Sequence, residues 1–303
     1  MKTITPNYYA NFKCIADRCR HSCCIGWEID IDPDTLERYQ RVSGDFGARL
    51  RAEIDDQNNC FRLDEKERCP FLNQQGLCDI ISTLGEESLC RICTDHPRFR
   101  NYFSSHIEMG LGLCCEEAAR LILTQNEPFS LTELPQTNDP AERVFFDLRN
   151  RLFDMIQNDQ VPFSQRLGLL PAVCGGGLPQ KTASEWGRIF QRLEQLEPQW
   201  STLLSQLCSE HNLPQLSTQW DNYSARLLIY FVYRHLSGAL EDRRLGARAA
   251  FCALSVQMIR HLAALLQRRG MLTIDSFLEL ARLYSAEIEY SDENTEFLFD
   301  LLS

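Results

Sequence analysis

Cys14, Cys19, Cys23 and Cys24 fall within eleven residues, a thiol density that packing alone does not call for. Short loops between thiolates let several sulfurs converge on one centre without a helix or strand pointing them apart. A second group follows at Cys69, Cys78, Cys90 and Cys93, with Cys60 ahead of it at no motif spacing. The third is the adjacent pair Cys114-Cys115, set before a run that reads as a helix with Glu116 and Glu117 in its first turn. A thiol at that position is favoured as thiolate, which suits a metal ligand and a reactive cysteine equally.

Three chemistries compete for these sulfurs. Structural zinc commonly uses paired Cys-x2-4-Cys knuckles. Only Cys90-x2-Cys93 and the neighbourhood of Cys19–Cys23 approach that, and the adjacent pairs are surplus to it. An iron–sulfur cluster takes soft ligands from short adaptable loops and suits a cysteine surplus better. A redox dithiol ranks third, because no Cys-x-x-Cys sits in a βαβ pattern. The Cys-x3-Cys-x2-Cys loop of radical chemistry is not present; Cys19-x3-Cys23-Cys24 shares only its first spacing. Cys174, Cys208 and Cys252 stand alone and read as small hydrophobes.

The elements that must position these residues follow from pattern. Ile25, Trp27, Ile29 and Ile31 alternate with polar or small residues, the period of a half-buried strand. Asp32-Pro33 predicts an N-cap and a first-turn proline for a helix to about Val42. Asn73-Gln74-Gln75-Gly76 has the chemistry of a tight reversal between Cys69 and Cys78. From about residue 140 the texture is helical: Val144–Ile156, Trp186–Leu196, Tyr223–Leu240, Phe251–Leu266, Ile274–Tyr284 and Asn294–Leu302 carry apolar stripes. Proline-bearing stretches at 127–140 and 169–179 read as connections. The expected fold is therefore mainly α, a cysteine-rich metal-binding N-terminal lobe (1–126) with few short strands, a linker (127–140), and an all-helical C-terminal lobe (141–303). Gly175-Gly176-Gly177 follows no strand and lacks Gly-x-Gly-x-x-Gly spacing, so it reads as a turn rather than a phosphate loop.

The 303 residues are 44% apolar and 24% charged, ordinary for a globular chain. A formal charge of −11 argues against nucleic acid and anionic membranes as partners. No uninterrupted apolar run approaches the ~18 residues that span a bilayer, and the N-terminus lacks a signal-like apolar core. A cytoplasmic setting is expected, where clustered thiols stay reduced.

One set of residues carries a family resemblance. Phe12-Lys13-Cys14-x4-Cys19-x3-Cys23-Cys24-x-Gly26-Trp27, Cys69-Pro70-Phe71-Leu72-x5-Cys78-x-Ile80, Leu84-Gly85-Glu86-Glu87, Cys93-x3-Pro97-Arg98 and Cys115-x-Glu117-Ala118-Ala119-Arg120 resemble the flagellin lysine-N-methylase family. The cysteine frame is also similar to a broader iron- or zinc-chelating family. Asp221-Asn222-Tyr223, Tyr230–Arg234 and Glu293-Asn294 are similar to the methylase's helical half.

The resemblance implies methyl transfer from S-adenosylmethionine to flagellin lysines in a [4Fe–4S] protein. It implies metal ligands among Cys14, Cys19, Cys23, Cys24, Cys69, Cys78 and Cys93, with Cys115 an eighth candidate. Cys90 and Cys114 depart from its frame. The alternative is a non-enzymatic iron- or zinc-binding or delivery protein whose helical lobe docks a partner.

Lysine methylation makes its own demands. A lysine of ordinary pKa near 10.4 is protonated at neutral pH, and only the free amine attacks the sulfonium methyl. Glu86, Glu87, Tyr230 and Tyr233 are the candidate proton acceptors, and Arg98 is the candidate partner for the cofactor's carboxylate. The chain offers no glycine-rich strand–turn–helix, so the methyl donor is not expected on a Rossmann-like sheet.

Overall fold

The structure, a computed structural model, describes residues 2–210 and 212–303. It is mainly helical, with 56% helix and 8% strand. The chain divides into two compact units: Lys13–Arg98 together with Cys115–Glu117, and the remainder.

In the first, the sequence signals around Asp32 are realised. The Asp32 carboxylate accepts the Thr35 N–H at 3.1 Å and Pro33 opens the helix Pro33–Arg41. A second helix, Gly44–Ala52, follows, and Ile54–Asp55 pairs antiparallel with Cys60–Phe61. Ile29, Ile31, Tyr39, Phe61 and Phe71 are buried together beneath these elements. The strand expected over Ile25–Ile31 does not form. Gly26 takes φ +78°, which breaks the extended run and leaves isolated bridges at Ile25↔Arg68 and Asp30↔Cys60. Ile29 and Ile31 are still buried, so the alternation reported burial correctly without a ladder to carry it. The reversal at Asn73–Gly76 is present: Asn73 exchanges backbone bonds with Leu77 and Gly76, and Leu72 bridges Cys78.

The second unit holds a three-stranded sheet in the order Lys2–Ile4, His106–Leu111, Arg98–Tyr102, the last strand entering it after Arg98; the first pair is parallel, with Lys2 opposite His106. The expected helices appear as Pro140–Gln157, Ala183–Phe190, Asp221–His235, Leu245–Arg268, Ile274–Tyr284 and Asp292–Leu301. Pro198–Cys208 is an additional helix. The stretch 169–179 is not a plain connection, because the helix Phe163–Val173 runs into it with Pro171 inside its last turn. Gly175, at φ +77°, then lets Gly176 N–H close back on the Pro171 carbonyl at 2.8 Å.

Leu245–Arg268 is the one helix among the described residues long and apolar enough to cross a membrane, and 78% of its apolar window is buried inside the protein. Its apolar character is accounted for by the helices packed around it, Asp221–His235 and Phe163–Val173 foremost.

The second unit also contains a buried ion pair. Arg149, on Pro140–Gln157, grips the two carboxylate oxygens of Glu108 on the strand His106–Leu111, and both side chains are fully buried. Burial alone would raise the Glu108 pKa; the Arg149 charge overrides it and holds the carboxyl below its usual range. That contribution is present above the ordinary carboxylate pKa and is lost as pH falls through the lowered folded-state value. Glu108→Ala is expected to cost about 3–5 kcal/mol in denaturant unfolding by leaving Arg149 buried and unpaired, and Glu108→Ala with Arg149→Met to recover most of it.

Candidate metal centre

Every cysteine of the expected frame lies in the first unit, and backbone closure gathers them. Cys69 N–H bonds the Cys24 carbonyl at 2.8 Å and Gly26 N–H bonds the Glu67 carbonyl at 2.9 Å, which sets the first thiol loop against the second. The reversal at 73–76 returns Cys78 beside Leu72, and Asp79 N–H bonds the Phe71 carbonyl. Arg91 N–H donates to Asp32 at 2.8 Å, fixing the turn that carries Cys90 and Cys93.

The result is two thiol groups that meet at Cys23-Cys24. The inner one comprises Cys24, Cys69, Cys78, Cys90 and Cys93, set against the Phe61–Phe71–Ile80 core. Burial pushes Cys69 up to about 12, and the neighbouring Cys24, Cys78 and Cys90 add to the rise. Burial raises Cys78 as well. Cys90 and Cys93 have their sulfurs 3.4 Å apart in a shared hydrogen bond. The outer group forms around Cys23, whose pKa is driven up by its hydrogen bond to Cys24, by burial, and by Cys14 and Cys115. Cys19 stands at its margin: its thiol donates to the His21 carbonyl at 3.3 Å and lies 4.0 Å from Glu116, itself held by the Arg20 backbone and guanidinium.

Among the described residues no three His, Cys, Asp or Glu side chains already stand as a metal-binding set. The thiols are gathered but not closed. The inner donor set is nonetheless all sulfur, lies against an apolar core, and contains four frame residues, the chemistry a thiophilic centre takes. Cys90 joins it although the frame omitted it; the Cys90-x2-Cys93 spacing was the signal. Cys60 stands apart, its thiol bonded to Glu28 beside a cavity of about 400 Å3 lined by Trp27, Glu28, Asp55 and Glu67.

The remaining candidates are placed as follows. Glu86 and Glu87 are exposed on a short turn, Glu86–Ser88, whose Glu87 carbonyl accepts from Arg38. Arg98 donates to the carbonyls of Thr94 and His96. Both sites share the first unit with the thiols. Tyr230 and Tyr233 lie in the second unit, fully buried on Asp221–His235. The Tyr233 hydroxyl donates to the Met109 carbonyl at 3.3 Å. Tyr230 donates to Glu289 at 3.0 Å and accepts from Arg234 at 2.8 Å and from Leu113 N–H at 3.2 Å.

That network adds three residues the sequence reading missed, Arg234, His235 and Glu289. Glu289 closes a one-turn π-helix, Ser285–Glu289, and His235 Nε2 meets its carboxylate at 2.5 Å. Burial would raise Glu289, and Arg234 with His235 overrides it and lowers it. Burial holds the Tyr230 hydroxyl protonated well past its ordinary range. The Tyr-x3-Arg-His spacing placed three of these groups along one helix, whereas no periodicity announces a π-turn.

A mainly α architecture with a thiol-gathering unit, whose described sheets have only two or three strands, defines a class apart from sheet-based methyltransferases. A family model of the FliB lysine N-methylase C-terminal domain matches residues 176–303. The flagellar biosynthetic protein FliU of Salmonella muenchen is 30% identical over 145 residues, covering 44% of this chain and 85% of FliU. Lysine-N-methylases of Salmonella choleraesuis and Salmonella typhimurium are also 30% identical over 145 residues, but this chain spans only 36% of their length. No solved structure matches. The chain belongs to the flagellin lysine-N-methylase (FliB) family.

Tyr230→Phe is expected to destabilise the protein by roughly 1–3 kcal/mol, because the Leu113 N–H, Arg234 and Glu289 all lose a buried partner. Equilibrium denaturation checks this, and a midpoint equal to that of the parent would show that the network does not hold the helical unit together.

Proposed function

We propose that this chain is a cytoplasmic protein-lysine N-methyltransferase that moves a methyl group from S-adenosylmethionine to flagellin lysines and carries a [4Fe–4S] cluster. The observation that carries the reading is the inner thiol group, found in a chain of the FliB family. Cys24, Cys69, Cys78 and Cys93 are the frame residues in that group and are its ligands in this reading. Cys14, Cys19 and Cys23, with Cys115, form the outer flank.

The protein's own residues do the rest. Arg98 is assigned to the donor's carboxylate through its two-pronged guanidinium. Its backbone partners at Thr94 and His96 fix it one turn from Cys93. Glu86 and Glu87 are exposed carboxylates that an incoming peptide lysine can reach, and they accept its proton before attack. Tyr230 and Tyr233 are buried with their hydroxyls engaged, so their part is to hold the helical unit in shape. Removing the base is expected to slow methyl transfer roughly 100-fold with little change in stability, so Glu86→Gln and Glu87→Gln are compared singly and together.

Protein purified without oxygen is expected to contain iron and acid-labile sulfide and to add a methyl mass to flagellin lysine in the presence of S-adenosylmethionine. Cys69→Ala and Cys78→Ala are expected to lose the iron, and Cys60→Ala to keep it. Flagellin of unchanged mass, with iron-loaded protein and fresh donor, rules the methylase reading out.

A further inference from the structure

Cys90 is the one member of the inner thiol group outside the family frame, and its sulfur lies 3.4 Å from that of Cys93, a proposed ligand. The pair straddles the start of the short helix Arg91–Asp95, so only Arg91 and Ile92 separate two cysteines whose sulfurs already share a proton. Reaching a disulfide bond of ~2.05 Å requires the sulfurs to close by a little over 1 Å, within the reach of side-chain rotation. Cys90 is completely buried and cannot itself meet a dissolved oxidant, whereas Cys93 is half-buried. The two thiols therefore have different roles: Cys93 meets the reagent and Cys90 waits behind it.

We propose that Cys90 and Cys93 form a thiol–disulfide modification site in which Cys90 is the resolving cysteine and oxidation withdraws Cys93 from the metal centre. The co-reactant is a low-molecular-weight disulfide of the glutathione class. The Cys93 sulfur attacks one sulfur of that disulfide, its proton goes to solvent, and one small thiolate leaves. The Cys90 sulfur then attacks Cys93 in the mixed disulfide, its proton is lost, and the second small thiolate leaves. Two protein thiols and one small disulfide become one protein disulfide and two small thiols, so the electrons balance. Excess small thiol reverses both steps.

The consequence for the metal centre rests on the cluster reading above; the disulfide itself does not. The full-length chain, purified without oxygen, is treated with oxidised glutathione, digested after alkylation and mapped by mass spectrometry, with iron measured in parallel. The expected result is a Cys90–Cys93 cross-link that appears together with iron release and disappears on adding reduced glutathione. Cys90→Ser is expected to hold iron as the parent does, to stop at a glutathione adduct on Cys93, and to form no cross-link. Cys93→Ser is expected to lose iron without oxidant.

Absence of the Cys90–Cys93 peptide under conditions that oxidise other thiols overturns the proposal. So does loss of iron from Cys90→Ser to the extent seen in Cys93→Ser, since Cys90 would then be an ordinary ligand. A parent protein isolated without iron sinks the cluster reading instead, and the peptide map of that same protein still decides whether the modification site exists.

Discussion

Two backbone hydrogen bonds hold the thiol-bearing unit together: Cys69 N–H to the Cys24 carbonyl and Gly26 N–H to the Glu67 carbonyl. They join segments more than forty residues apart in sequence, and without them the first thiol loop and the second cysteine group have no common wall. Gly26 is the residue that permits the closure. Its φ of +78° turns the chain out of the extended path that Ile25 begins, and a side chain there is strained whatever room surrounds it. The loss of the expected strand and the gathering of the thiols are thus one event. The same kink that interrupts the alternation brings Cys24 against Cys69.

The grouping of the thiols and the mainly α character were legible in the sequence. The cysteine spacing marked every member of the inner group, Cys90 through Cys90-x2-Cys93 although the family frame omits it, because thiols in short loops have few competing reasons to cluster. Caps and turns were equally readable: Asp32-Pro33 and Asn73–Gly76 act through bonds to their own neighbours, which local sequence encodes. The long helices were read from their stripes, although Leu245–Arg268 begins six residues ahead of the expected Phe251 and Ala183–Phe190 stops six short of the expected Leu196. The helix Phe163–Val173 was not, because Pro171 suggested a break where the surrounding helices still bury Phe163 and Leu170. Neither the sheet that joins residues 2–4 to 106–111 nor the Glu289 network has a local signature. Both depend on partners a hundred or about sixty residues distant, which a single sequence does not display.

The two units solve the cost of burying polar groups differently. In the helical unit, charges are buried as ion-paired sets, Glu108 with Arg149 and Glu289 with Arg234, His235 and Tyr230. Each carboxylate stays ionised because a cation overrides the penalty of burial. In the thiol-bearing unit the buried groups are thiols: burial raises Cys69 and Cys78, while hydrogen bonds with Cys23 and Cys93 lower Cys24 and Cys90. A pocket of gathered thiols is a site that a thiophilic cation stabilises by displacing whatever protons they hold.

The chain crosses between its two units after residues 12, 98, 114 and 117. A cut in the proline-bearing stretch 127–140 looks harmless on the page, yet it separates the strand bearing Glu108 from the helix bearing Arg149. The N-terminal fragment would keep every frame cysteine and an orphaned carboxylate in the middle of its sheet. A piece starting at residue 176, where the family's C-terminal domain begins, would leave both members of that pair behind. A cut at 127–140 therefore divides one of the two units instead of running between them.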